Sequence, residues 1–227
     1  LHSVADELRL EEKLCIIRDA AQALHAANRL GIVHRDVKPG NILVQRRDDG
    51  TWRPVVMDFG LAHDAEANQQ LTQSGVVLGT PAYMSPEQAR GDTRNLDRRT
   101  DVYALGATLF ELLTGRMLFE CEIQTEILLK VLSDEPPPLR ALEPGLPADL
   151  ETIVLKCLHK EPAQRYESTR ALAEDLQRYL NGEPIHGKRT SLFYRLRRRV
   201  QKNRAAVAVG CLALIGLSLL GAYGVQA

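Results

Sequence analysis

No charged side chain occurs from Ala205 to Ala227, and residues 183–204 just before it hold eight basic groups against the single acid Glu183. This pairing constrains the chain more than anything else in it. As a helix the 19 residues Ala205–Tyr223 would reach about 28 Å, close to the thickness of a bilayer's hydrocarbon core. Every backbone group would be satisfied internally, as lipid requires. A buried core helix has a similar composition, but it would not need RLRRRVQKNR beside it. The C-terminal position excludes a secretory signal. Lys and Arg next to a span favour the cytoplasmic side, so the expectation is a single-pass protein of the cell membrane. Residues 1–204 would be cytoplasmic and residues 224–227 a short outer tail. The basic run reads equally as a solvated linker. The two readings are compatible, because such a run also attracts anionic lipid at about 1 kcal/mol per basic residue near the surface.

Residues 1–182 hold 21 basic and 28 acidic side chains. The formal charge of zero is therefore a cancellation, and the acidic main body excludes a uniformly basic nucleic-acid binder. An apolar fraction of 44% with 26% charged residues excludes disorder and collagen-like sequence. Cys15, Cys121, Cys157 and Cys211 form no CxxC pair, which suits a reducing compartment and argues against a disulfide frame or a zinc site. The histidines show no HExxH-like spacing, so any metal must be held by oxygen.

The body is long enough for one folded domain. Leu14, Ile17, Ala21 and Leu24 recur at helical spacing in Glu11–Leu30, and Gly31 stops that helix. Short apolar runs follow at Ile32–Val33, Ile42–Val44 and Val55–Met57, with the hairpin signal Asp48-Asp49-Gly50 between the last two. Helical patterns return at about 101–114, 123–132, 147–159 and 168–180, separated by Pro136-Pro137-Pro138 and Pro144. The expected fold is mainly α with a small β-hairpin, followed by one transmembrane helix.

The hairpin is flanked by His34-Arg35-Asp36-Val37-Lys38-Pro39-Gly40-Asn41 and by Asp58-Phe59-Gly60. Phosphoryl transfer needs a carboxylate for the proton of the attacking hydroxyl, oxygen ligands for Mg²⁺, and a fixed cation near the moving phosphoryl group. Asp36, Asn41, Asp58 and Lys38 are the right types, and a hairpin can bring their two loops together. Singly, Asp36 or Asp58 would read as a turn or cap residue. Their order and company reverse that.

HRDVKPGN, then DFG, then Gly79-Thr80-Pro81-Ala82-Tyr83-Met84-Ser85-Pro86-Glu87 resembles the ordered signature set of eukaryotic-type protein kinases. Lys38 two residues after Asp36, with Thr80, resembles the Ser/Thr branch. HRDVKPGNIL with SPEQARG, a basic linker and one span resembles bacterial transmembrane Ser/Thr kinases. The resemblance covers residues 1 to about 181 and implies the C-terminal, large lobe of the kinase fold. It implies Asp36 as catalytic base, Lys38 on the transferred phosphoryl group and Thr80 bracing both. Asn41 and Asp58 would ligate Mg²⁺, or Mn²⁺ in its place, and Leu43 would lie beneath the adenine of ATP. Glu87 and Arg165 resemble an architectural ion pair, and Asp101 an acid that ties down the catalytic loop through its backbone. His34, Phe59 and Gly60 are structural on this reading. Arg35 before Asp36 resembles the class whose activation loop is ordered by phosphorylation, which makes Thr72 and Ser74 candidate phosphosites.

The same resemblance calls for a smaller N-terminal lobe with a glycine-rich loop, a strand Lys and a helix Glu. None occurs in the 33 residues before His34. The expectation is a fragment that begins mid-domain, has negligible activity alone and is poorly stable on the face the small lobe would cover. Protein substrates are implied, and a single span leaves dimerisation open. Two other readings share some of these features. Small-molecule phosphotransferases of related fold have the same acid–amide–acid set but typically lack GTPAYMSPE. A membrane-tethered pseudokinase-like scaffold would not need all four catalytic residue types.

Overall fold

A computed structural model describes residues 1–59, 80–92 and 96–187. Seven α-helices and one hairpin occur in the described residues: α1 Leu10–Asn28, β1 Ile42–Arg46, β2 Trp52–Val56, α2 Pro86–Ala89, α3 Arg98–Thr114, α4 Gln124–Ser133, α5 Leu139–Leu142, α6 Ala148–Cys157 and α7 Thr169–Leu180. The mainly helical expectation with one small hairpin holds. Among these residues no helix is long and apolar enough to cross a membrane. The expected span at 205–223, Gly60, Thr72 and Ser74 lie outside the described residues.

Helix α1 buries the stripe Leu14, Ile17, Ala21 and Leu24 completely, together with Ile16 and Ala20. Each large apolar side chain so buried stabilises by about 1.5–3 kcal/mol relative to exposure. At its start the Arg9 N–H donates to Glu12 Oε2 at 2.8 Å, half of a capping box. At its end Gly31 sits at φ +80°, where a residue without Cβ is least strained. The Ile32 N–H can then turn back to Ala27 O at 3.1 Å. Ile32–Val33 forms no strand, because the peptide groups after the helix are spent on this cap and on the loop beyond.

Helix α3 is the centre. From Thr100 to Phe110 every residue is buried, and α1, α5, α6 and α7 all pack on it. A helix buried on every side over three turns sits inside a core, and its polar Thr100, Asp101 and Thr108 are buried with it. Close approach is needed against α6, where a Cβ at Gly106 would collide with that of Cys157. Burial holds the Cys157 thiol above its ordinary range. The helix starts three residues before the expected Asp101, because the Asp97 carboxylate caps it by accepting the Arg99 N–H at 2.7 Å. The charged turn Arg98-Arg99 hides this start from apolar periodicity.

The turn α2 is bolted to this core by Glu87 and Arg165. The guanidinium donates to both Glu87 oxygens at 2.8 Å, and the two side chains are 7% and 0% exposed. The remaining Arg165 N–H groups donate to the carbonyls of His159, Arg99 and Lys160, so all five donors are used. Thr100 Oγ1 adds a bond to Glu87 Oε1 at 3.0 Å, and the guanidinium lies 5.0 Å from the Tyr103 ring centroid. Burial alone would raise the Glu87 carboxyl, but the Arg165 bonds and charge outweigh it and hold it below the usual glutamate range.

A group with a lowered folded pKa stabilises above its unfolded pKa, and that contribution is lost as pH falls through the folded value. Glu87→Gln leaves the buried guanidinium without its counter-charge, at a cost of about 3–5 kcal/mol at neutral pH. In urea unfolding, the gap between wild type and Glu87→Gln is expected to be full at pH 7. It should narrow as the pH is taken below the ordinary glutamate range. A gap that does not change with pH would contradict the ion pair as its cause.

Candidate active site

The hairpin sets the geometry of the site. Its antiparallel register pairs Ile42 with Val56 and Val44 with Pro54, and the Met57 N–H continues the ladder to Asn41 O at 2.9 Å. Asn41 and Asp58, 17 positions apart in the chain, are thereby held at the same end of the hairpin. The turn is made by Gly50 at φ +79° and by the Asp49 carboxylate, which accepts from the Thr51 N–H and hydroxyl.

The loop before the hairpin is fixed from beneath by α3. Asp101 is fully buried, and its carboxylate accepts the His34 N–H at 3.1 Å, the Arg35 N–H at 3.0 Å and an amide hydrogen of Asn28 at 3.1 Å. Burial pushes this carboxyl up, opposed by those N–H groups. His34 is also fully buried, edge-on to Phe59 with ring centroids 4.6 Å apart. Its Nδ1 accepts the Asp36 N–H at 3.2 Å and its Nε2 donates to Met57 O at 2.8 Å. That pattern selects the Nε2–H tautomer and links the two loops directly. Arg35 and Asp58 adopt φ +66° and +61°, and they are the only non-glycine residues with positive φ among the described residues. Such strain persists only where the surroundings over-determine it, typically at functional sites.

On this platform Asp36 is surrounded. Lys38 Nζ donates to Asp36 Oδ2 at 2.8 Å and reaches Thr80 Oγ1 at 3.4 Å. Asn41 Nδ2 donates to Asp36 O at 2.8 Å and to Oδ2 at 2.9 Å. With Oδ2 doubly engaged, Oδ1 is the oxygen left to face a ligand. Asn41 uses only its amide nitrogen in these bonds, which leaves the amide oxygen for a cation. The Asp58 side chain is exposed. No group of three or more His, Cys, Asp or Glu that could hold a metal occurs among the described residues. One carboxylate and one amide oxygen are hard donors that fit Mg²⁺ or Mn²⁺ only when phosphate and water complete the shell. Leu43 stands on the hairpin 52% exposed, across from the 41% exposed Val55. The Arg35 guanidinium is the opposite case: its Nε and Nη1 are buried with no hydrogen-bond partner among the described residues.

The structure thus gathers Asp36, Lys38, Asn41 and Thr80 into one cluster, places Leu43 on the hairpin and Asp58 two residues beyond its second strand, and sets His34, Arg35, Phe59 and Asp101 beneath. Glu87 and Arg165 stand apart, in the core. Sequence reading missed Asn28, whose amide serves both Ile32 O and Asp101, and no motif marks it. It also missed Thr100 on Glu87 and the side chain of Gln88. For Gln88 a signal was present in Ser85-Pro86-Glu87-Gln88, which has the S-x-x-Q spacing of a capping box.

Comparison with known proteins agrees with this geometry. Residues 4–176 match the protein kinase domain. The chain is 44% identical over 170 residues to the serine/threonine-protein kinase PknB of Mycobacterium tuberculosis, which covers 74% of this chain and 26% of that protein. It is 41% identical over 162 residues to Pkn1 of Myxococcus xanthus, covering 71% of this chain and 23% of that protein. With PrkC of Bacillus subtilis it shares 38% over 185 residues, covering 82% and 28%. The chain therefore spans about a quarter of the length of these relatives. On the extent of the family match and the order of its motifs, this chain belongs to the protein kinase domain family.

Proposed function

We propose that this chain is the C-terminal lobe of a Ser/Thr protein kinase that transfers the γ-phosphate of ATP to protein Ser or Thr hydroxyls. One observation carries the reading: the Lys38 ammonium and the Asn41 amide both donate to Asp36 Oδ2, at 2.8 and 2.9 Å, and Lys38 also reaches the Thr80 hydroxyl at 3.4 Å. The substrate hydroxyl would give its proton to Asp36 Oδ1 as its oxygen attacks the γ-phosphorus, and the bond to the β–γ bridging oxygen breaks. Lys38 offsets charge on the moving phosphoryl group and, through Thr80, ties the catalytic loop to the segment that receives the substrate. The Asn41 amide oxygen and the Asp58 carboxylate would hold Mg²⁺ or Mn²⁺. When bound, the cation neutralises charge on the nucleotide phosphates. The exposed pair Leu43 and Val55 offers an apolar seat for adenine.

Asp36→Asn keeps the shape and removes the base, so kcat for phosphorylation of a Ser/Thr protein substrate should fall about 10²–10⁴-fold, with little change in the KM for ATP. The assay is phosphate transfer by the protein made from its complete coding sequence. Wild-type turnover in the variant would refute the assignment. Residues 1–187 contain one wall of a nucleotide site and no glycine-rich loop. Calorimetry on residues 1–187 alone should therefore show ATP–Mg²⁺ binding too weak to measure at micromolar concentration. Tight binding there would contradict the two-walled site.

Arg35 Nε and Nη1, buried with no hydrogen-bond partner among the described residues, support a phosphate acceptor, and a phosphate on Thr72 or Ser74 would supply an anion for them. Phosphopeptide mapping of the purified protein should find one of the two modified. Recovery of both only as unmodified peptides would remove this regulation. The charge-free stretch 205–223 behind eight basic residues supports a single-pass anchor in the cell membrane with the kinase lobe on the cytoplasmic side.

A further inference from the structure

The Arg35–Asp36 peptide carries the strained turn into the catalytic loop, and both of its polar atoms are held. Its N–H is donated to His34 Nδ1. Its carbonyl, Arg35 O, accepts from Gln88 Nε2 at 2.7 Å. Gln88 belongs to α2, more than fifty positions away in sequence, and its other amide atom is equally occupied. Gln88 Oε1 accepts the Ser85 N–H at 3.0 Å and the Ser85 hydroxyl at 3.1 Å. The Gln88 N–H in turn donates to Ser85 Oγ at 3.4 Å. One side chain thus caps the turn Ser85–Gln88 with its oxygen and grips the peptide of the catalytic Asp with its nitrogen.

We infer that Gln88 is a positioning residue that holds the Arg35–Asp36 peptide, and with it the aim of the Asp36 carboxylate, from the α2 turn. This rests on the assignment of Asp36 as the base. Asp101 fixes the Arg35 N–H from the α3 side, and Gln88 fixes the Arg35 carbonyl from the α2 side. Together they pin both ends of a residue at φ +66°, a conformation that relaxes once either end is released. The Glu87–Arg165 pair keeps α2 itself in place, so Gln88 transmits a fixed position. The Asn41 backbone is held by the hairpin through Met57, while its side-chain amide bonds Asp36, so loss of the Gln88 grip should disturb proton transfer more than the nucleotide contacts.

Gln88→Glu separates the two functions of the side chain. Its carboxylate still accepts from Ser85, but it presents an oxygen in place of the N–H donor to Arg35 O. Gln88→Met removes both. In the protein made from its complete coding sequence, with rates normalised to nucleotide-binding sites, both variants should lose about 10–100-fold in kcat, the scale of a misplaced catalytic group. The KM for ATP should change much less than kcat in both. A purely structural cap predicts the reverse for Gln88→Glu, namely wild-type kcat per site. That result, or a kcat loss matched by an equal rise in the KM for ATP, overturns the inference. Asp36→Asn is assayed alongside. If it retains activity, the base assignment fails and the inference with it. If Asp36→Asn is inactive and Gln88→Glu is normal, the inference alone fails.

Discussion

The site depends on a carboxylate that never meets solvent. Asp101 is fully buried in the central helix and spends its oxygens on two consecutive backbone N–H groups and one side-chain amide. Burying an acid is costly unless it is hydrogen-bonded, and here the bonds determine the path of the chain. They hold His34 and Arg35 against α3, and the strained φ of Arg35 turns Asp36 out toward Lys38 and Asn41. Apart from the 3₁₀ turn Pro39–Asn41 the loop has no regular secondary structure to stiffen it, so the placement of His34 and Arg35 comes from the helix beneath.

The hairpin provides the second constraint. Its ladder fixes Asn41 against Met57, and His34 Nε2 closes the loop by donating to Met57 O. Two short strands are marginal alone. Here β2 packs on α1, and the pair is pinned at its base by the catalytic loop. Rigidity flows from α3 through Asp101 to the loop, and from the loop through His34 to the residues ahead of Asp58. Asp36 is therefore tied to buried groups through the bonds made by its neighbours His34 and Arg35, as a preorganised site requires.

Much of this was legible before any coordinates. The stripe Leu14, Ile17, Ala21 and Leu24 marked α1 because one-sided burial leaves a periodic trace. Asp48-Asp49-Gly50 marked the hairpin because a tight turn needs a residue tolerant of positive φ. The four later helices were placed within a few residues. What escaped has a common cause. The start of α3 is charged and capped by Asp97, so apolar spacing could not find it. Asn28, Thr100 and Gln88 act through single long-range hydrogen bonds, with partners 73, 13 and 53 positions away. Periodicity carries no record of such pairs. The motifs pointed to the residues proposed to do chemistry, and the fold was needed to find the hydrogen-bond partners that hold them.

The saturation of Arg165 carries a mechanical consequence. With all five N–H groups engaged by Glu87 and three separate carbonyls, the guanidinium has no spare donor with which to start a new contact before breaking an old one. Any rotation of it is uphill from the first degree, and a lysine, with a point charge in place of the planar fork, could not span the same partners. The turn carrying Glu87 and Gln88 therefore behaves as a fixed pivot.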